Sequence, residues 1–328
     1  MQMAVETAAD GLRAQYVLPL RWEHDDELDE LTDYLVMIAR HLPVVVVDGS
    51  PDGLFQEHAR RWSEAVQHVR PAPWPGRNGK VAGVMTGLRL AREEAVVIAD
   101  DDVRWRPDQL RAAVALLEHG EVVRVQNVFE PMPWHARWDT ARSLVNRGLG
   151  ADFPGTLLVR RSAVLRAGGY DGDVLFENLE LLRTVRAGGG REIRADDLWV
   201  RRRPPTVRHF WSQRVRQAYD SLAQPARLCA EAAVLPTLVW ALLRRRPGPV
   251  VALVAGVSAI AWRGRRRDRG SDVVPASSVG WAPVWLAERA VCIWVALALR
   301  ATGGVPYRRQ RMLRAASPTS SLRRRTTL

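Results

Sequence analysis

The chain has 328 residues, 47% of them hydrophobic and 26% charged, enough for one large domain with an appendage and too apolar for a disordered chain. Its net charge of +12 points toward nucleic acid until it is located: residues 244–328 hold 17 Arg against 3 acids, a net +14, which leaves 48 − 17 = 31 basic and 36 − 3 = 33 acidic residues before them. The folded part is therefore nearly neutral, and the basic excess is a property of the C-terminal third. No nucleic-acid partner is expected, because that basic tail lacks interleaved aromatics or a recognised module. Cys229 and Cys292 lie in apolar surroundings without metal-ligand spacing, which excludes a disulfide framework and a zinc site. The opening MQMAVETAADGLRAQ has no basic segment leading into an apolar one, so no secretory signal is expected and the main domain is expected to face the cytoplasm.

From Gln15, QYVLPLRWE reads as a short strand stopped by Pro19. DDELDELTDYLVMIARHL places Leu28, Leu31, Leu35, Ile38 and Leu42 at helical spacing, with acids in the first turns where they favour the helix dipole. Val44 to Val47 is an all-apolar strand of the kind buried in parallel sheets, broken by Asp48-Gly49-Ser50 at its carboxyl end. A helix from about Leu54 and a short strand from Gln67 to Val69 follow, so the order is that of a doubly wound α/β half. PWPGRNGKVAGVMTGLRLA is a Pro/Gly-rich loop entering a helix near Gly79, with Lys80 in its first turn. Lys80 is the only lysine among 48 basic residues, and a single retained ammonium suggests a compact charge set against a phosphate, with chance as the alternative.

The stretch EEAVVIADDDVRW, residues 93–105, organises the rest. Ala95 to Ala99 is a short buried strand and Asp100, Asp101 and Asp102 follow it directly. Strand period lets Asp100 and Asp102 point one way while Asp101 points another. Two carboxylates at the carboxyl end of such a strand suit a hard divalent cation shared with a phosphate. The competing reading is a solvated turn capping the helix that starts near Pro107. A helix from Pro107, a strand over EVVRVQNVF, a strand from Thr156 to Val159 and a helix broken at Gly168-Gly169 come next. A helix from about Glu177 ends at glycines 188–190; REIRADDLWVRRRPP is a last strand, and TVRHFWSQRVRQAYDSL a basic, aromatic helix or lid.

In this order the pieces resemble the inverting family-2 glycosyltransferases with a GT-A fold, over roughly residues 14–220. VLPLRWE resembles that family's opening strand, VVVVDGSPDG its nucleotide-contacting Asp loop, NGK its Gly-Lys before the next helix, and IADDDV its DxD. FENLEL resembles the acceptor-side Glu-Asp-x-Glu-Leu motif, and Gln213 to Gln217 resembles Gln-x-x-Arg-Trp. The resemblance implies a GT-A-like doubly wound mixed sheet flanked by helices, with residues 1–225 as the nucleotide-sugar-binding catalytic domain. Asp48 would accept hydrogen bonds from the donor's base or ribose, and Lys80, Asp100 and Asp101 would lie at the donor. Asp100 and Asp102 would hold Mg²⁺ or Mn²⁺ on the diphosphate, neutralising the departing nucleoside diphosphate. Gln213 and Arg216, three apart on one helical face, would close on the diphosphate or donor sugar. His209 beside Phe210 and Trp211 reads as packing rather than as a further metal ligand.

Two departures from the family's pattern matter. Asn178 stands where the family has its catalytic Asp, and an amide takes no proton at physiological pH. Glu177, Asp171 or Asp173 then acts as base, or the acceptor is already ionised, as a polyprenyl phosphate is, or the chain is a non-catalytic binder of nucleotide-sugar. Gln217 replaces the motif's Trp, which argues against a processive enzyme. The implied activity is hexosyl transfer from a nucleotide-diphospho-sugar to a lipid-linked or saccharide acceptor; a nucleotidyltransferase on the same sheet is the rival.

Beyond this domain, Leu228 to Leu243 and Pro249 to Trp262 are apolar stretches separated by an arginine cluster, and both fall short of the about 20 residues that span a bilayer. A third, Trp281 to Leu299, carries Glu288 and Arg289 at its centre. Residues 226–306 are expected to be membrane-associated, as a hairpin, interfacial helices or full spans, with arginines at the cytoplasmic headgroups. Residues 307–328 read as a basic disordered tail.

Overall fold

A computed structural model describes residues 12–62, 64–307 and 310–326. Residues 1–11, most of the stretch examined for a signal segment, lie outside them. The first half runs β1 (Ala14–Leu20), α1 (Leu28–Ala39), β2 (Val44–Asp48), α2 (Asp52–Trp62), β3 (Gln67–Val69), α3 (Gly79–Leu90), β4 (Ala95–Ala99) and β5 (Val103–Arg104). It continues with α4 (Pro107–Leu116), β6 (Val122–Phe129), α5 (Trp134–Leu149), β7 (Thr156–Arg160), α6 (Arg161–Arg166), α7 (Glu177–Ala187), β8 (Glu192–Arg202) and α8 (Val207–Tyr219).

Eight strands form one mixed sheet in the order β3-β2-β1-β4-β7-β6-β8-β5. β3, β2, β1 and β4 are parallel, β7 lies antiparallel to β4 and to β6, and β8 runs parallel to β6. Alternation along the strands divides the core. Tyr16, Leu18, Val97 and Ala99 pack with Leu31, Leu35 and Ile38 on one face, while Val17, Val96 and Ile98 pack with Val84, Met85 and Leu88 on the other. Each such aliphatic side chain contributes about 1.5–3 kcal/mol by leaving water. α3 lies so close to β1 that a Cβ on Gly87 would sit 2.3 Å from Val17 Cγ1. β1 runs through Pro19 rather than stopping there: β4 pairs it only from Ala14 to Val17, so the proline's missing donor falls where one neighbour has ended.

α9 (Pro225–Leu243), α10 (Gly248–Arg266), α11 (Gly270–Val273) and α12 (Ala282–Ala301) follow. Among the described residues two segments are long and apolar enough to cross a membrane, Pro225–Leu243 and Ala276–Ala301, by length and composition only. α10, the second apolar stretch of the sequence, instead crosses α5 at close range, where a Cβ on Gly264 would meet the Leu144 carbonyl oxygen at 1.9 Å. Val257 and Ala261 of α10 share a core with Leu144, Trp199 and Trp285. The charges at the centre of α12 face inward: Arg214 of α8 bridges Asp139 of α5 at 2.8 Å and Glu288 at 3.6 Å.

The disordered tail expected from Tyr307 onward is corrected for the described residues. β9 (Val305–Tyr307) and β10 (Gln310–Met312) pair antiparallel and α13 (Thr319–Thr326) follows. Leu175 N donates to Arg314 O and Phe176 N to Ala315 O, and Ser317 N donates to Glu180 Oε2 at 2.6 Å. Buried Met312, Ala315 and Leu322 fill the strap's inner side. Arginine-rich composition hides these few apolar anchors and a backbone that pairs with α7's leading edge.

Candidate active site

The order β2-β1-β4 reverses direction at β1, and ligands bind open α/β sheets beyond the carboxyl ends of strands at such a switch point. The loops after β1, β2 and β4 meet there. Trp22 N donates to Ser50 Oγ at 2.8 Å, and its indole Nε1 donates to Asp101 Oδ2. Asp101 is thus held toward the β1 loop, on the opposite side from its two neighbours.

Asp100 and Asp102 converge on one guanidinium. Arg202, the last residue of β8, donates from Nε to Asp102 Oδ2 at 2.6 Å and from Nη2 to Asp100 Oδ2 at 3.4 Å. Lys80 Nζ stands 2.5 Å from Asp100 Oδ1 and 2.7 Å from Glu177 Oε1. The α3 N-terminus fixes this ammonium. Asn78 caps the helix by accepting from Lys80 N at 3.0 Å, donates from Nδ2 to Val174 O, and receives the Tyr307 hydroxyl. Tyr307 belongs to the C-terminal strap, which therefore buttresses the lysine's helix.

Burial disfavours each charge here and the partners decide the outcome. Burial pulls the Lys80 ammonium down, but Asp100 and Glu177 outweigh it and hold it well above its ordinary value. Burial raises Asp100, yet Lys80 and Arg202 bring it below the usual carboxylate range. Asp102 has weaker support: burial, with Asp100 and Asp101 adding to it, pushes it up to about 6 against the pull of Arg202. Its Oδ1 is buried without a hydrogen-bond partner among the described residues. Two carboxylates with an unpartnered inward oxygen at a sheet's ligand edge fit a hard divalent ion, and Asp100 and Asp102 would hold it.

Arg216 of α8 lies with its guanidinium 5.2 Å from the Tyr307 ring centroid, and its charge helps depress Asp100. Gln213, one turn before it, donates to Ser212 Oγ at 3.3 Å. Asp220, just beyond α8, is pushed up to about 7 by burial, with Arg216 opposing and Glu177 adding to the rise. Asn178 donates from Nδ2 to Pro154 O at 3.0 Å. Asp171 pairs with Arg314 at 3.0 Å, and Asp173 lies 3.8 Å from Arg77. Of the residues singled out from the sequence, Lys80, Asp100, Asp102 and Glu177 meet in one cluster with Arg216 in electrostatic reach. Asp48, Asp101 and Gln213 make their contacts elsewhere.

Asp48 departs most from its expected role as a direct acceptor for the donor's base or ribose. It is 0% exposed, and both oxygens are taken: Oδ1 accepts from Ser50 N at 2.8 Å, and Oδ2 faces His58 Nδ1 at 2.6 Å and His68 Nε2 at 3.0 Å. His58 Nε2 in turn meets Asp25 Oδ1 at 2.9 Å. Asp48, His58 and His68 lie close enough to hold a metal ion between them. Ligands around a tetrahedral ion at ~2.0–2.1 Å stand about 3.3 Å apart, however, so the 2.6 Å contact is that of a charge-assisted hydrogen bond. Asp48 thus fixes the loop Gly49-Ser50-Pro51 from beneath. The sequence carried a signal for this, a histidine in each element after Asp48, and none for Arg202, which sits unmarked within Arg201-Arg202-Arg203.

Comparison with known proteins agrees with this geometry. Residues 43–166 match the model of the Glycosyl transferase family 2. Among solved structures, the mannosyltransferase PcManGT from Pyrobaculum calidifontis, in complex with GDP-Man and Mn²⁺, is 20% identical, over 86% of this chain and 87% of that one, with a TM-score of 0.51. A mycobacterial protein is 17% identical over 64% of this chain and 74% of that one, with a TM-score of 0.40. No curated protein matches the chain. The family match spans β2 through α6, including Lys80 and the Asp100–Asp102 turn, and the structural match extends over 86% of the chain. Residues 43–166 are thus a match to family-2 glycosyltransferases, set in a chain whose fold is GT-A-like.

Proposed function

We propose that this enzyme moves a hexose from a nucleotide-diphospho-sugar to a lipid-linked or saccharide acceptor at the cytoplasmic face of the cell membrane, with inversion at the anomeric carbon. The observation that carries the reading is the convergence of Asp100 and Asp102 beside Lys80 and Arg202 at the carboxyl end of β4. A divalent ion, Mg²⁺ or Mn²⁺, held by the two carboxylates would neutralise charge on the diphosphate. Lys80 and Arg202 are placed to take up diphosphate oxygens, and Arg216 approaches from α8. The acceptor oxygen forms its bond to C1 as the bond from C1 to the diphosphate oxygen breaks and the electron pair leaves with the nucleoside diphosphate. The membrane part of the reading is supported by Trp240, Leu242 and Leu243 of α9 and by Val291, Trp294 and Val295 of α12, all exposed.

Transfer of labelled sugar from a donor panel into solvent-extractable lipid or a saccharide, with release of nucleoside diphosphate, tests this. Release of pyrophosphate instead would identify a nucleotidyltransferase, and donor binding without turnover would identify the non-catalytic binder that Asn178 suggests.

Asn178 and Glu177 bear on the acceptor. The amide is committed to Pro154 O and Glu177 to Lys80, so neither is a free base, and an acceptor already ionised is favoured. Asn178→Asp is expected to raise transfer to a sugar hydroxyl and leave transfer to a lipid phosphate unchanged. A fall of lipid-phosphate transfer in Glu177→Gln, with donor binding intact, would instead mark Glu177 as the base.

A further inference from the structure

The backbone that leaves α12 turns back at Gly303-Gly304, where both φ angles are positive, 100° and 104°, and a Cβ on Gly304 would meet Met312 O at 2.3 Å. The turn sends the strap, residues 305–317, across three elements of the active site. At α7, Phe176 N donates to Ala315 O at 2.8 Å and Ser317 N to Glu180 Oε2 at 2.6 Å. At α8, the Tyr219 hydroxyl donates to Leu313 O at 2.8 Å, and beside α3, Arg77 Nη1 donates to Arg311 O at 3.1 Å. None of these bonds involves Tyr307, so the strap is docked independently of that side chain.

Tyr307 is buried and meets the supports of two of the site's cations with different parts of its side chain. Its hydroxyl donates to Asn78 Oδ1 at 3.0 Å, the same oxygen that accepts from Lys80 N at 3.0 Å. The Asn78 amide is held in that orientation because its Nδ2 donates to Val174 O at 2.9 Å, which leaves Oδ1 for the two donors. The Tyr307 ring lies 5.2 Å from the Arg216 guanidinium carbon, within the range of a cation–π contact. Lys80 and Arg216 come from α3 and α8, and both act on Asp100, Lys80 from 2.5 Å and Arg216 through its charge. One side chain from the end of the chain therefore touches the cap of one cation's helix and the guanidinium of the other.

We propose that Tyr307 is a positioning residue of the donor site, setting Lys80 through Asn78 and Arg216 through its ring so that both cations meet the donor's diphosphate. Long cationic side chains lose rotamer freedom when they bind a phosphate, and a fixed helix start and a stacked guanidinium lower that cost before the donor arrives. The inference rests on the nucleotide-diphospho-sugar reading of the site and adds the C-terminal strap to it.

The test is equilibrium binding of ADP, CDP, GDP, UDP and dTDP, each with Mn²⁺, to the full chain in detergent with no acceptor present. Tyr307→Phe keeps the ring and loses the donor, and is expected to weaken the preferred diphosphate about 3–10-fold. Tyr307→Leu loses both contacts, and a weakening of about 10–100-fold is expected. Each contact acts through its own cation, so Tyr307→Phe should have no effect in a Lys80→Met background. In an Arg216→Gln background, Tyr307→Leu should cost no more than Tyr307→Phe does in the wild type. Tyr219→Phe removes a strap bond that reaches neither cation and should bind as the wild type does. Wild-type affinity in both Tyr307 variants, losses that simply add to those of Lys80→Met and Arg216→Gln, or a loss in Tyr219→Phe as large as in Tyr307→Phe would each overturn the proposal. Coupled losses as described, in a chain that transfers no sugar to any acceptor, would overturn the transferase reading and leave Tyr307 in a diphosphate site. Binding of none of the five diphosphates by the wild type would overturn the diphosphate reading and this proposal with it.

Discussion

Asp102→Asn is expected to lower sugar transfer by roughly 10²–10³-fold or more in kcat, the scale on which removing one preorganised electrostatic contact acts. The substitution keeps the shape of the side chain and removes only its charge. Asp102 shares Arg202 with Asp100, and its Oδ1 is the buried oxygen left without a protein partner, the one best placed to hold a cation. The same site makes the folding cost small. Burial and the neighbouring Asp100 and Asp101 already disfavour the ionised Asp102, so a neutral amide should leave the thermal midpoint unchanged or slightly raised. Steady-state transfer and a thermal melt of the same preparation check both halves. Asp101→Asn is the control: its carboxylate faces Trp22, away from Arg202 and Lys80, and transfer should stay near the wild-type rate. Equal losses in the two variants would show that the turn matters as backbone and not as a charged pair.

His58→Ala should cost about 3–5 kcal/mol of stability, the range for removing one partner of a buried ion pair. The ring is fully buried, with Asp48 at 2.6 Å on one nitrogen and Asp25 at 2.9 Å on the other. Burial lowers the imidazole's pKa, but the two carboxylates outweigh it and the net shift is upward. A group raised on folding stabilises fully below its unfolded value, about 6.5, and the contribution is lost as pH rises through the folded value. Asp48 shows the opposite sign. Burial alone would raise it, yet hydrogen bonds from His58, His68 and Ser50 hold it far below the usual range, so its contribution is present above about 3.9 and fails only in strong acid. Wild-type stability should therefore fall as pH rises from about 6.5, and His58→Gln should lack that slope. Melts at a series of pH values decide it; parallel curves for wild type and variant would mean that His58 is neutral in the fold. Because Asp48 anchors Gly49 and Ser50, donor binding should weaken along with stability.

The parts of the fold that sequence discloses are those where one periodicity acts alone. Val44 to Asp48 is buried at every position, and Leu31, Leu35 and Ile38 mark one helical face, so both elements stand where their patterns put them. Asp101 and its neighbours point apart as alternation predicts, although residues 100–103 form a turn closed by Val103 N donating to Asp100 O at 3.1 Å and not a strand. α5 is not legible in the sequence because its buried face includes Asp139, Asn146 and Arg147, which pair with Arg214 of α8, Arg227 of α9 and the Arg267 carbonyl and mask the apolar period. The tail is hidden in the sequence for the same kind of reason: a strap held by backbone pairing and a few apolar anchors resembles solvated chain in composition. In the site, motifs found Lys80, Asp100, Asp102 and Glu177. Arg202, Trp22, His58 and Tyr307 come from distant strands and loops and are brought in only by the sheet order and the strap.

The most direct measurement is release of nucleoside diphosphate by the purified chain in detergent, across a donor panel, with Mn²⁺ or Mg²⁺ and with lipid phosphates and saccharides as acceptors. Release from one donor class that depends on an acceptor, and is lost on chelation and in Asp102→Asn, is the predicted result. Release that persists unchanged in Asp102→Asn, or pyrophosphate as the product, would contradict the assignment of the Asp100–Asp102 pair to a departing nucleoside diphosphate.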